Sequence, residues 1–262
     1  MPPKIYDARA KLNVFLKLIG RRADGYHLIA SRFVIYDRLS DKMWFEKSAA
    51  RGFEVVGDFN CALENNAIYR AYATLSRAYP SKALFSFANA HKVVVYKNIP
   101  SGAGLGGASS DAATFLIMIN EAANLKLSNE ELSRVGAEVG ADVPFFLSGY
   151  ESANVGGAGE QIEPFSEKPP RFELKTAPIL CETPKVYLTF RRHFSDKMAD
   201  SAKTAPDLLT MKAVDILREF DPETLNDLLE PALKRYPELR EYKEDGWFLS
   251  GSGGTFFRIE EQ

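Results

Sequence analysis

The stretch KVVVYKNIPSGAGLGGASSDAATFLIMINEAANL, from Lys92 to Leu125, limits what this chain can be more than any other feature. Its β-branched run, Lys92–Lys97, predicts a strand. Gly102, Gly104, Gly106 and Gly107 then predict a loop, and the apolar run after Ser110 predicts a helix to about Asn124. Strand, glycine loop and helix in that order offer an anion backbone N–H groups with no side chains in the way, together with the positive end of a helix dipole. Ser109 and Ser110 fall where the helix starts, so their hydroxyls can cap it, contact phosphate or reach a magnesium ion. A plain tight turn would need the same glycines. Four of them with two serines, leading into a long helix, point to phosphate binding.

Several kinds of phosphate loop are excluded. A Walker A loop ends in Lys-Ser or Lys-Thr, and this loop has no lysine. Gly102-x-Gly104-x-x-Gly107 matches the dinucleotide fingerprint, which also requires a following parallel strand ending in an acidic residue. Here a second helical pattern follows instead. Neither an HRD-type catalytic loop nor a DFG triplet occurs, which removes the protein kinases.

Elsewhere, Ala10–Leu18 alternates, with Leu12, Val14, Leu16 and Leu18 facing one way and Lys11, Asn13, Phe15 and Lys17 the other. Asp24-Gly25 supplies turn chemistry, and Tyr26-His27 opens the next extended segment. A helix is predicted over Asn66–Tyr79. Another starts at Ser128 with a Ser128/Glu131 capping box and ends at Gly140, leaving Asp142 just beyond it. Gly149–Gly159 is glycine-rich and polar and reads as the passage between two halves. In the second half, strands are expected at Phe172–Leu180 and Val186–Phe190, helices at Pro206–Phe220 and Pro222–Arg235, and two short strands, Trp247–Ser250 and Thr255–Ile259, around Gly251-Ser252-Gly253-Gly254. The mixture predicts an α+β protein. A net charge of −2 gives no general reason to bind nucleic acid or an anionic membrane, so the expected partner is a small molecule. Two cysteines without CxxC spacing and three scattered histidines predict no protein metal site. No apolar run is long enough to span a bilayer, so the expected location is the cytoplasm, as a monomer or weak homodimer.

The segment Pro100–Ser110 resembles the P-x-x-x-G-L-G-x-S-S signature of the GHMP kinases. AKLN at Ala10, RADGYH at Arg22, GADVPFF at Gly140 and SGSGG at Ser250 extend the likeness over essentially the whole chain. The resemblance implies a two-domain fold: a ribosomal protein S5-like N-terminal domain over residues 1–150, a ferredoxin-like C-terminal domain over 151–262, and an active site in the cleft between them. It also implies ATP as phosphoryl donor, with Mg2+ bound mainly through the nucleotide, and the 2-hydroxyl of 4-diphosphocytidyl-2-C-methyl-D-erythritol as acceptor. The alternatives are another GHMP acceptor (homoserine, a sugar or a mevalonate-type acid), a non-catalytic nucleotide-binding regulator, or a nicotinamide-dependent oxidoreductase. The sequence departs from the family's pattern in a shorter C-terminal half and in Asp7-Ala8-Arg9 before Ala10-Lys11.

Phosphoryl transfer needs positioning, charge neutralisation and a group to take the attacking hydroxyl's proton. Asp142, in a turn with Val143, Phe145 and Phe146, is the candidate base, and the matching aspartate has that role in the resembling family; a helix cap is the competing reading. Lys11 is the candidate cation, able to hold Asp142 ionised or to face the transferred group. By resemblance, Asn66, Pro100, Gly102, Ala103, Gly104, Leu105, Gly106, Gly107, Ala108, Ser109 and Ser110 contact ATP, although Asn66 could equally be a helix N-cap. Asn13, Tyr26, His27, Tyr187, Gly251, Ser252 and Gly253 are assigned to the acceptor. His27 would meet the edge of a cytosine, and Tyr26 and Tyr187 its face.

Overall fold

The computed structural model describes residues 2–50 and 52–260. Two long strands open the chain, β1 (Tyr6–Arg21) and β2 (His27–Lys47), which pair through the Asp24-Gly25 turn. The turn closes with Arg22 N donating to the Tyr26 carbonyl at 2.7 Å and Gly25 N to the Arg22 carbonyl at 3.0 Å, while Gly25 takes a φ of 93° that side chains avoid. The chain forms two compact units, and both strands run through each of them.

The first unit contains the chain up to Ala10, Asp37–Pro100 and Gly106–Gly149. It holds the second half of β2, β3 (Glu54–Val56), α1 (Ala67–Ala78), α2 (Lys82–Ala90), β4 (His91–Tyr96), α3 (Gly107–Ala122), α4 (Asn129–Val139) and α5 (Val143–Ser148). β4 pairs antiparallel with β2 (Lys42 opposite Tyr96) and parallel with β3 (Val55 opposite Val93). The core comes from helical spacing: Ile68, Ala71 and Leu75 of α1, Phe115 and Leu116 of α3, and Leu132 of α4 are all buried in it. The Ser128/Glu131 capping box is present as the sequence predicts. α2, which the sequence reading passed over, is capped by Ser81, whose hydroxyl accepts from Leu84 N at 3.2 Å.

The second unit contains Lys11–Tyr36, Ser101–Leu105 and the chain from Tyr150 onward. β5 (Ser152–Gly156) lies inside the stretch expected to be a passage. It pairs antiparallel with β2 (Ser31 opposite Val155) and with β6 (Gln161–Pro164). β7 (Phe172–Thr176) is followed by α6 (Thr183–His193), α7 (Met198–Leu208), α8 (Ala213–Glu219), α9 (Pro222–Leu225) and α10 (Leu229–Arg235). β8 (Phe248–Leu249) and β9 (Thr255–Ile259) complete a three-stranded antiparallel sheet in the order β7-β9-β8.

Three expectations for this half need correction. Val186–Phe190, expected as a strand, lies in α6. Val186 and Phe190, four residues apart, are both fully buried, Pro184 sits in the first turn and Arg191, Arg192 and His193 in the last, so helical burial overrides the strand propensity of a VYLTF run. The single helix expected over Pro206–Phe220 is split, with Pro206 near the end of α7 and the break before α8 held by buried Arg32. Its guanidinium donates to the carbonyls of Leu209 at 3.0 Å and Met211 at 3.2 Å and pairs with Glu167 at 3.0 Å. The helix expected over Pro222–Arg235 breaks between Leu225 and Leu229, where Asn226 and Asp227 turn inward. Among the described residues, no helix is long and apolar enough to cross a membrane.

Candidate active site

In the second unit, the residues before α3 meet the loop between β8 and β9. Gly102, Gly104, Gly251, Gly253 and Gly254 all have positive φ, between 58° and 125°. The close approach makes two of these glycines obligatory: a Cβ on Gly104 would lie 2.1 Å from the Ser250 carbonyl oxygen, and one on Gly254 2.6 Å from the Cα of Ala103. Ser250, completely buried, donates from Oγ to the Gly104 carbonyl at 3.0 Å and accepts from Asn13 N at 3.3 Å. β1 joins the same cluster, because Lys11 N donates to the Leu105 carbonyl at 3.0 Å and Lys11 Nζ to Asn13 Oδ1 at 2.5 Å, with the ammonium 4.4 Å from the centre of the Phe33 ring. Asn13 Nδ2 donates onward to Ser31 Oγ at 3.1 Å. The predicted set Lys11, Asn13, Gly102, Ala103, Gly104, Leu105 and Gly251 is therefore assembled around Ser250, the first residue of the SGSGG segment.

The same unit gathers the predicted base-binding residues less completely. The His27 ring lies 5.3 Å from that of Tyr187 and 5.8 Å, edge-on, from that of Phe190. Burial, followed by the positive charges of Arg21 and Arg191, pushes the His27 pKa down, so the ring is neutral at pH 7 and offers both a donor and an acceptor nitrogen. Tyr26 is 65% exposed, with its backbone N–H on Asp24 at 3.2 Å. Ser252 Oγ hydrogen-bonds the hydroxyl of Thr183, at the start of α6, at 2.7 Å.

In the first unit, Gly106, with a φ of 72°, precedes α3 and gives it no side-chain cap, whereas α1, α2 and α4 are capped by Asn66, Ser81 and Ser128. An uncapped N-terminus after a left-handed glycine keeps its N–H groups directed at the space an anion would fill. Ser110 is buried in the first turn of α3, and Pro100 at the loop's entry is exposed. Asn66 is the N-cap of α1: its Oδ1 accepts from Ile68 N at 2.9 Å and Tyr69 N at 3.4 Å, which realises the capping alternative. Asp142 is half-buried at the head of α5 and makes no capping hydrogen bond there. Among the described residues, no group of three or more His, Cys, Asp or Glu side chains is arranged to hold a metal ion. β4 leads through the loop into α3 and then into α4, so the parallel strand that a dinucleotide fingerprint demands is missing from this position.

A charged cluster behind the loop was missed by sequence reasoning. Asp41, fully buried on β2, accepts at Oδ1 from Asn98 N at 2.5 Å and Ile99 N at 2.8 Å, and its other oxygen pairs with Lys97. Lys97 also pairs with Asp111 of α3 at 2.6 Å. Two carboxylates thus share one ammonium.

Residues 66–150 match the GHMP kinases N terminal domain family. A relative from Sulfurimonas denitrificans, named 4-diphosphocytidyl-2-C-methyl-D-erythritol kinase, is 42% identical over 100% of this chain and 99% of its own length. The same name belongs to a relative from Helicobacter pylori that is 34% identical over 98% of this chain and 96% of its own. The chain belongs to the 4-diphosphocytidyl-2-C-methyl-D-erythritol kinase family. A crystal structure of 4-(cytidine 5'-diphospho)-2C-methyl-D-erythritol kinase superposes with a TM-score of 0.72 at 28% identity, covering 98% of this chain and 90% of that one. The Methanococcus jannaschii mevalonate kinase structure, at 13% identity and a TM-score of 0.61 over 99% of this chain and 91% of its own, shares the fold.

Proposed function

We propose that this chain transfers the γ-phosphoryl group of ATP to the 2-hydroxyl of 4-diphosphocytidyl-2-C-methyl-D-erythritol, giving the 2-phosphate and ADP. The observation that carries the reading is the loop itself: left-handed Gly102, Gly104 and Gly106 feed an α3 N-terminus that no side chain caps. Backbone N–H groups from Ala103 to Ser109 and the hydroxyl of Ser110, whose own N–H is taken by the Gly106 carbonyl, would hold the nucleotide's phosphates, and Asn66 would border the adenine with the part of its amide that the α1 cap does not use. Magnesium would enter on the nucleotide and supply positive charge to its phosphoryl oxygens.

Asp142 removes the proton from the attacking hydroxyl. Lys11, whose ammonium is fixed by Asn13 and the Phe33 ring, supplies positive charge to the reacting groups. Neutral His27 reads the edge of the cytosine, Tyr26 and Tyr187 offer it aromatic faces, and Gly251, Ser252 and Gly253 turn backbone N–H groups to the acceptor's phosphates.

The test is ADP release from Mg-ATP with the cytidylyl acceptor, and with homoserine, galactose and mevalonate as controls. Turnover is expected with the cytidylyl compound alone, and turnover with only a control would replace the acceptor. Asp142→Asn is expected to lower kcat by about 10²- to 10⁴-fold while ATP binding, followed by thermal shift, stays within about twofold of the original. An unchanged kcat would remove Asp142 from the proton transfer.

A further inference from the structure

Asn226 occupies the break between α9 and α10 and is buried, with 4% of its surface exposed. Its amide is fully committed. Nδ2 donates to the carbonyls of Leu249 and Gly251, each at 2.9 Å, and Oδ1 accepts from Leu228 N at 2.9 Å. Only one orientation of the amide satisfies all three partners, because reversing it would set an oxygen against two carbonyls.

The backbone beneath the amide is fixed as well. Asp227 N donates to the Leu16 carbonyl of β1 at 3.0 Å, and the Asp227 carboxylate receives Lys17 Nζ at 2.5 Å, Leu18 N at 2.7 Å and Ser201 Oγ at 2.7 Å. The Asn226-Asp227 dipeptide is therefore a bracket seated on β1, the strand that carries Lys11 and Asn13.

The two carbonyls that Asn226 holds flank Ser250, the residue that donates to the Gly104 carbonyl and accepts from Asn13 N. Gly251, Gly253 and Gly254 give their loop no side chains with which to hold itself, and their φ values of 58°, 125° and 93° leave it many accessible paths. Two bonds close the loop on itself, Ser250 N to the Thr255 carbonyl at 2.9 Å and Gly253 N to the Ser250 carbonyl at 3.2 Å, and the Asn226 amide adds the hold on the Leu249 and Gly251 carbonyls that these leave open.

We propose that Asn226 is a positioning residue for phosphoryl transfer: by holding the carbonyls on both sides of Ser250 it fixes the Ser250–Gly254 loop against β1 and the glycines before α3. The inference rests on the reading of Gly251–Gly253 as the acceptor's phosphate contacts. Asn226 touches neither substrate; it acts through the loop.

Asn226→Asp keeps the shape and the acceptor to Leu228 N but replaces two donors by oxygen facing two carbonyls, and Asn226→Ser removes one donor and leaves room. Steady-state rates would be measured for both with Mg-ATP and 4-diphosphocytidyl-2-C-methyl-D-erythritol, normalised to folded enzyme by near-UV circular dichroism. An unsatisfied or opposed pair of carbonyls predicts an acceptor KM about tenfold higher and, through the Ser250 link to Gly104, a KM for Mg-ATP about threefold higher. Should Asn226→Asp not fold, Asn226→Ser is read by the same criteria. A role in stability alone would lower Tm and leave both KM values of the folded fraction unchanged, and that result overturns the proposal. If the original chain does not phosphorylate the cytidylyl acceptor, the functional reading fails separately, and Asn226 is then judged on Mg-ATP affinity by thermal shift, where an unchanged value in the variants overturns it.

Discussion

The loop ahead of α3 and the loop between β8 and β9 are both built on left-handed glycines, yet they are anchored by opposite means. Buried charge holds the first: Asp41 takes the N–H groups of Asn98 and Ile99 at the loop's entry, Asp111 lies in the first turns of the helix at its exit, and Lys97 bridges them. Neutral groups hold the second, namely the amide of Asn226 and the hydroxyl of Ser250. Each kind of anchor fails in its own way. A charge buried in a cluster is stabilised only while its counter-charge remains, whereas a neutral hydrogen bond is a small, separable contribution.

Lys97 is the residue on which the charged anchor depends most. Removing it as Lys97→Met leaves Asp41 and Asp111 buried without their ammonium, and a loss of about 3 to 5 kcal/mol in unfolding free energy is expected from denaturant titration. A loss below about 1 kcal/mol, the range of exposed pairs, would show that charge does not anchor this loop.

Asp111 makes the charged anchor depend on pH. Burial raises its pKa to about 7 against the lowering effect of Lys97, and the Asp41 charge adds to the rise. Lys97 itself shifts the other way from burial, raised by its two carboxylates. The rise at Asp111 fits unequal sharing of the ammonium: Asp41 has two backbone N–H groups as well as Lys97, while Asp111 Oδ1 is buried without a hydrogen-bond partner. A carboxyl whose folded pKa is raised favours the fold fully below the unfolded value near 3.8, and that contribution is lost as pH climbs through about 7. Asp111→Asn abolishes the titration. Its stability relative to the original chain should therefore rise between pH 4 and pH 7 and stay level above. Parallel pH profiles of the denaturation midpoint would refute this.

Much of the molecule is legible in the sequence for physical reasons that also set the limit. Local chemistry reads directly: the β-branched run into glycines, the alternation over Ala10–Leu18 and the Ser128 capping box each need only neighbours within a few residues. α6 was misread because β-branched and aromatic residues suit a strand until tertiary burial selects the Val186/Phe190 spacing. The anchors were invisible for another reason. Asp41 and Lys97 are 56 residues apart and Asn226 and Gly251 are 25 apart, and charged or amide side chains near strand ends and breaks carry no mark of a distant partner. The resemblance named the residues expected to touch ligand. It did not reach the residues that hold those residues still.

The smallest effect is expected at Ser250, and it decides whether the neutral anchor is as weak as the comparison requires. Ser250→Ala removes one hydroxyl from a fully buried site without adding volume, so it deletes the donor to Gly104 and a long acceptor to Asn13 N and nothing else. The expected loss is about 1 kcal/mol, or a Tm lower by about 2 to 4 °C, and it should be the same at pH 5 and pH 8 because no titrating group is involved. A loss as large as that of Lys97→Met would mean that the two glycine loops stand or fall as one cooperative element, with Ser250 as their shared support. A small and pH-independent loss would leave the charged cluster as the dominant anchor and Ser250 as an adjustment of the loop's path.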